Sequence, residues 1–257
     1  MYLPFLEKID GNILLLGSIY DEEKKEWALY NDFSVEKFMF PVLKEVGISL
    51  SSAPNTVIKS IEMPMLEKIE KGLSLNRNEA LEFLDFSMLR EIGRSLYIVN
   101  CPNIKHIDFP KLKELYTGGI STEGSFTLLR NDSLEKISFP KLERVGRTFS
   151  ISWNPELKHL EFPVLKQVSY YNTGFFISDN LALIEMLFPV LENIYGDFKI
   201  MDNYSLENLS FPKLERVQWD FWILDNHELP TSIAVELKNQ VLEKDGIGGE
   251  TAIFGNK

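Results

Sequence analysis

Three histidines, one cysteine and two sets of aspartates are the side chains of this 257-residue sequence whose types and spacing come nearest to chemistry. His106 and His159 hold the same place in a repeating pattern, two repeats apart, with Lys136 in that place between them. Strand spacing of about 4.8 Å then separates them by about 10 Å across a cation, too far to share a metal. His227 stands alone. Cys101, as the only cysteine, excludes an internal disulfide and a cysteine-rich zinc site, and its place in the repeat suits a small core residue rather than a nucleophile. Asp197 and Asp220 lie one repeat apart, and a separation of about 5 Å suits the paired carboxylates of a retaining glycosidase, but no cleft signature accompanies them. Asp179, Asp202 and Asp225 share a place in three consecutive repeats. They form a solvated acidic rim or a poor calcium site, since calcium takes about six to eight oxygens and no EF-hand spacing is present. P-loop, HExxH, GxSxG and CxxC motifs are lacking, and the glycines of DGIGGE follow a helical segment instead of opening one. These residues predict no catalytic group, no metal site and no cofactor.

What must position them is a repeat. The phrase apolar-Pro-x-Leu-x-x-aliphatic recurs with prolines at Pro4, Pro41, Pro64, Pro110, Pro140, Pro163, Pro189 and Pro212, and Ser87 fills the same slot in FSMLREIG. Steps of 23 residues separate Pro41, Pro64, Ser87 and Pro110, then Pro140 from Pro163 and Pro189 from Pro212, whereas three steps are 37, 30 and 26. That gives nine coils. With the proline as position zero, +2 is leucine in all nine, from Leu6 to Leu214, and +5 is always aliphatic. Positions +9 and +11, such as Phe149 and Ile151, alternate with outward residues as a strand with one buried face does. One such segment cannot bury its apolar side alone, but stacked coils bury it continuously, so the pattern predicts a solenoid. The short Pro-x-Leu-x-x-Val stretch leaves room on the opposite side for turns rather than long helices.

Position +14 is asparagine in seven coils, at Asn55, Asn78, Asn131, Asn154, Asn180, Asn203 and Asn226, with Asp32 and Cys101 in the other two. A chain leaving a strand turns backbone groups inward, and a stacked amide can donate to and accept from neighbouring coils. Phe149-x-Ile151-x-x-Asn154 resembles the L-x-L-x-x-N/C core of leucine-rich repeats, in which cysteine is the alternative to asparagine. The resemblance covers residues 1–230. The fixed proline and the step from Asn154 to Leu157 are closer to the 23-residue BspA-type repeats of bacterial surface proteins, and to receptor L-domain solenoids, than to ribonuclease-inhibitor-type repeats. It implies a mainly β, right-handed solenoid of nine ~23-residue coils used for recognition. Residues 231–257 read as a C-terminal cap: Thr231 and Ser232 follow Pro230 and open a helix bearing Ile233, Val235, Leu237, Val241 and Leu242, which ends near Gly246 and leaves a loose GGETAIFGNK tail. Nothing caps Pro4, so either the excess in the first coil covers that end or Met1 begins a fragment of a longer chain. A native start at Met1 implies the cytoplasm, and a fragment of a BspA-like protein implies the cell surface.

The three long steps place excess residues at about 10–26, 116–125 and 169–174, all between +5 and +9, which predicts loops along one edge; the first, GSIYDEEKKEW, reads as a charged hairpin or short helix. Outward strand positions and the adjoining turns carry Tyr97, Tyr116, Trp153, Tyr170, Tyr171, Phe176, Tyr195, Trp219 and Trp222, with Asp197 and Asp220 beside them. Two readings stand for these aromatics: packing against inserted loops or the terminal helix, or a platform for a partner. Composition narrows the partner. With 44% hydrophobic and 25% charged residues the chain can build a core, and it lacks any apolar run long enough for a membrane span. A net charge of -11 and a pI near 4.9 argue against nucleic acid. The expected function is a non-enzymatic module binding a protein, a basic one being electrostatically favoured. A carbohydrate or cell-wall ligand at the aromatics is one alternative, and an acidic inhibitor or immunity-type protein neutralising a basic toxin is another.

Overall fold

A computed structural model describes residues 2–15, 18–21, 26–29, 35–52, 54–115, 124–169 and 173–257; Asp32, Tyr116, Tyr170 and Tyr171 lie outside these. Proline fixes φ and has no N–H to donate, so each Pro-x-Leu phrase folds into a tight turn. The leucine amide at +2 closes that turn on the carbonyl at −1, as Leu142 does on Phe139 at 3.2 Å. The chain then makes two more bends per coil, separating three strands. In the coil opening at Pro140 these are Arg144–Val145, Phe149–Ser152 and His159–Glu161.

Every first and second strand, and most third strands, pair in parallel with their counterparts in the next coil. Phe149 faces Phe126 on one side and Phe175 on the other, and Val145 faces Leu115 and Val168. The first strands build a nine-stranded sheet, the second a ten-stranded sheet, and the third a set of sheets of three, three and two strands. The side opposite the long sheet therefore carries short strands and turns, as the phrase length required.

Between the sheets every coil contributes the same apolar set. The +2 leucines from Leu43 to Leu214 are buried, with Leu6 half-buried at the first coil. Phenylalanines at −1 stack into one column, Phe109 on Phe139 on Phe162 on Phe188 on Phe211, with ring centroids 5.0–5.7 Å apart. A second column at +9 runs Phe126, Phe149, Phe175, Phe198 and Phe221, and its rings meet the first edge to face, as Phe149 meets Phe162 at 5.1 Å. Beside them runs the asparagine ladder. The Asn154 Oδ1 accepts from both the N–H and the Nδ2 of Asn131 at 3.2 Å, while its own Nδ2 donates to Leu128 O, Ser152 O and Asn180 Oδ1. The same exchange runs through Asn203 and Asn226. Cys101 interrupts it: Asn78 Nδ2 meets the Cys101 Sγ at 4.0 Å where an amide oxygen would stand and donates to Ser52 Oγ at 2.6 Å, while its own Oδ1, the acceptor for the preceding coil, is left without a partner. Asn55 does not join, because its carbonyl oxygen accepts from Val57 N and Ile58 N within its own turn.

Two expectations change. The excess of the first coil does not lie before its long-sheet strand, because Ile13 pairs with Leu50, the same 37 residues that separate Ile9 from Val46. Asp10, Gly11 and Asn12 make the ordinary bend, and buried Ile13 and Leu15 continue straight into the strand. The extra residues come afterwards, where Ser18–Asp21 and Glu26–Leu29 pair antiparallel as a hairpin. The other two insertions fall before the strand, since the pairing step changes from 23 to 30 between Leu115 and Phe126 and from 23 to 26 between Val168 and Phe175. The second change is the tail. After the helix Thr231–Leu242, the strand Thr251–Phe254 pairs with Phe221–Leu224 as the tenth strand of the long sheet. The reason is in the residues: AIFGN repeats WILDN, so Ile253 matches Ile223, Gly255 at φ 68 matches Asp225, and the Asn256 Oδ1 accepts from Asn226.

Candidate functional site

On the outer face of the long sheet, +10 residues of successive coils stand side by side. From Ser150 they run Phe176, Lys199, Trp222 and Ala252, and the next outward row runs Ser178, Met201, Leu224 and Phe254. Strand alternation aims Phe175, Phe198 and Phe221 inward and these residues outward, most of them half-buried by their neighbours. Lys199 organises the patch. Its ammonium is 2.9 Å from Asp197, 3.7 Å from Asp220 and 3.8 Å from the centre of the Trp222 ring. The two carboxylates also tie the coils together, Asp197 accepting from Asp220 N at 3.2 Å and Asp220 from Glu250 N at 3.1 Å. Their charges are thus answered by a lysine and by backbone N–H groups, an arrangement for holding a surface rather than for general acid and base work. The indole N–H of Trp222 is buried with no partner.

The other candidate residues do not converge on this patch. Tyr97 stands three coils before Phe176 on the same face, beside a depression lined by Ser51, Ser74, Lys71, Arg94 and Arg147. Tyr195 and Trp219 sit on the bend before the strand, Tyr195 half-buried with the Arg216 guanidinium 6.0 Å from its ring and Trp219 44% exposed. Trp153 lies beyond the strand, on the opposite edge. Tyr116, Tyr170 and Tyr171 fall outside the described residues.

That opposite edge holds a feature the sequence showed only in part. Residue +13 leaves the strand in the left-handed conformation in seven consecutive coils: Arg77, Asn100, Arg130, Trp153, Asp179, Asp202 and Asp225, all at φ between 53 and 58. This bend reverses the chain so that +14 turns inward to the ladder and +15 turns out again. The +15 residues Glu79, Pro102, Asp132, Pro155 and Leu181 form a second bank, and the two banks enclose a groove of about 730 Å³. Farther along, Tyr204 and His227 continue that bank with stacked rings 4.6 Å apart. The Arg130 guanidinium rests 5.9 Å from the centre of the Trp153 ring, which is 53% exposed. The acid at Asp202 is pushed up from its ordinary value by desolvation, then by the charges of Asp179 and Asp225, against a smaller opposing effect of His227. The signal that could have revealed the whole row was the dipeptide before the ladder: Asn100 and three aspartates are the residue types that tolerate positive φ, and they mark a place whose other occupants share one edge.

His106 and His159 flank Lys136 in adjacent strands, as their spacing required. Cys101 is buried, and that burial raises its thiol above the ordinary value, which keeps it protonated at neutral pH. Among the described residues no group of three His, Cys, Asp or Glu side chains could hold a metal ion, and no helix is long and apolar enough to cross a membrane.

No protein-family model and no curated protein matches this chain. A solved structure of a leucine-rich repeat protein from Bacteroides ovatus is similar to it at 12% identity and a TM-score of 0.29, with 94% of this chain and 82% of that one covered. The coil length, the parallel stacking of three strands per coil and the buried asparagine column together make this chain a parallel β-solenoid with the leucine-rich-repeat-like coil that its sequence predicts.

Proposed function

We propose that this solenoid is a recognition module that binds a protein partner through the outer face of its long sheet and the inserted segments beside it, with no chemistry of its own. The observation that carries this reading is the patch over the last coils. Phe176, Met201, Trp222, Leu224 and Phe254 adjoin one another around Lys199, whose charge is already met by Asp197 and Asp220. Such a surface gives up little hydration when covered, and its aromatic rings supply contact area at low entropic cost. Tyr97, Tyr195 and Trp219 flank it, Trp153 stands on the far edge, and Tyr116, Tyr170 and Tyr171 belong to the inserted segments.

A carbohydrate reading draws on the same rings, but Lys199 already covers one face of Trp222, where a sugar ring would stack. The reading as an acidic neutraliser of a basic toxin rests on the net charge of -11. The test is affinity capture from the source organism with wild type and with Phe176→Ala/Trp222→Ala, each shown to be folded by circular dichroism. A partner held by the wild type and released by the folded double variant supports the sheet face. Retention by the double variant as well as by wild type removes it, and capture that collapses with modest salt while ignoring the double variant favours the acidic neutraliser.

A further inference from the structure

We propose that the groove above the asparagine ladder is a second binding surface, built for an extended polypeptide segment that is acidic at one end and basic at the other. It goes beyond the sheet-face reading, because it needs no residue of that face. Six side chains of one row carry it: Arg77 and Arg130 at one end, Trp153 in the middle, and Asp179, Asp202 and Asp225 at the other. Their common left-handed backbone aims all six from the same edge. Among the described residues none of the five charged ones has an ion pair, whereas charged side chains elsewhere on the solenoid do pair across coils, as Lys44 does with Glu7 and Lys59 with Glu36. Three carboxylates in a file about 4.8 Å apart repel one another, and Asp202 is a weaker acid than usual, first through desolvation and then through the charges of Asp179 and Asp225.

Length and sign select the occupant. From Arg77 to Asp225 there are six strand spacings, about 29 Å, which an extended chain of about nine residues spans. A nucleic acid that satisfied the arginines would meet three aspartates, and a neutral saccharide would leave both ends unanswered. A polypeptide supplies both signs within that length and a proline or aromatic ring for Trp153. Glu79 and Asp132 on the facing bank bring the charge near the arginines close to balance, so at that end the banks discriminate by which side of the extended segment carries its carboxylate. The groove's lining reaches Asp179 and Leu181, and beyond it Tyr204 and His227 continue the facing bank, where His227 offsets only part of the charge of the three aspartates.

The test is selection of phage-displayed random decapeptides on the immobilised full chain. The enriched peptides are expected to segregate acidic residues into one half and Lys or Arg into the other. A synthetic copy of the best one should lose at least about tenfold in affinity for Asp179→Arg/Asp202→Arg and keep its affinity for Trp222→Ala. Arginine already occupies this backbone conformation at Arg77 and Arg130, so the double reversal is compatible with the fold, and Asp202→Asn, which preserves shape, serves as the second variant. The proposal is overturned by no enrichment, by enriched peptides without segregated charge, or by binding that ignores both Asp variants. Displacement of the selected peptide by cellohexaose would overturn it in favour of a saccharide. Loss of the peptide with Trp222→Ala alone would move the site to the sheet face.

Discussion

Replacing Asn154 with alanine tests what holds the coils in register. The side chain is buried and its amide serves three coils: it accepts the Asn131 N–H and Nδ2, both at 3.2 Å, and donates to Leu128 O at 3.2 Å, Ser152 O at 3.0 Å and Asn180 Oδ1 at 3.1 Å. Asn131 Nδ2 keeps Ile98 O, and the two carbonyls keep their sheet bonds, but the Asn131 N–H has no second acceptor. One orphaned buried donor costs about 1–3 kcal/mol, and the weakened remainder adds about 1 kcal/mol, so Asn154→Ala should destabilise by about 2–4 kcal/mol. Asn55→Ala is the control. Its two turn bonds at 2.7 Å are only part-buried, water can replace them, and the loss should be about 1 kcal/mol. Urea unfolding followed by circular dichroism reads both values, with the slope checked because repeat proteins can lose two-state behaviour. Hydrogen exchange at the Asn131 amide supplies the local readout and should speed up selectively. If Asn154→Ala costs no more than Asn55→Ala, or the Asn131 amide stays protected, the ladder is a passive filler and the reasoning fails.

Three further outcomes follow from the same geometry. Cys101→Asn restores the missing rung, offering Asn78 the acceptor that Asn154 offers Asn131, and should raise the thermal midpoint by an amount corresponding to about 1 kcal/mol; a lower midpoint would show that the thiol is there for its size. Asn256→Ala removes the acceptor of the Asn226 N–H at 3.1 Å and should cost about 1–2 kcal/mol in urea unfolding, whereas a dispensable tail predicts no change. For Asp202 the native state holds its proton more tightly than the unfolded chain, so its contribution to stability is lost as pH rises from the unfolded value through the raised native one. Asp202→Asn should therefore melt higher than wild type at pH 7, and the difference should disappear below both values; a gap that persists in acid refutes the electrostatic cause.

Much of the fold was legible because one requirement repeats. A leucine at +2 in every coil and a proline at zero in eight of the nine mean the same thing each time, so nine weak signals add to one strong signal. The tail was missed for the converse reason. TAIFGNK lacks the proline phrase, since the helix Thr231–Leu242 replaces that half of the coil, and only the match of Ile253, Gly255 and Asn256 to Ile223, Asp225 and Asn226 betrays it. The displaced first insertion was equally hidden, because a pairing register cannot be read from the total length of a step. At the surface, alternation indicated that Phe176 and Trp222 point outward, but not that Lys199 between them would neutralise Asp197 and Asp220. The left-handed row was half visible: three aspartates in phase stood out, and the arginines in the same phase did not, because a long basic side chain is so common on a surface that it advertises nothing.

The two interlocked columns of phenylalanine rings make the coil an interchangeable brick. Each ring meets only the layers directly adjoining it, stacked along its own column and edge to face across to the other, so no layer knows how many others exist. Duplicating or excising one such 23-residue brick from the interior would lengthen or shorten the molecule by about 4.8 Å and leave every junction of a familiar kind. Size in this architecture is quantised, and gene duplication can set the span of its edges without redesigning the core.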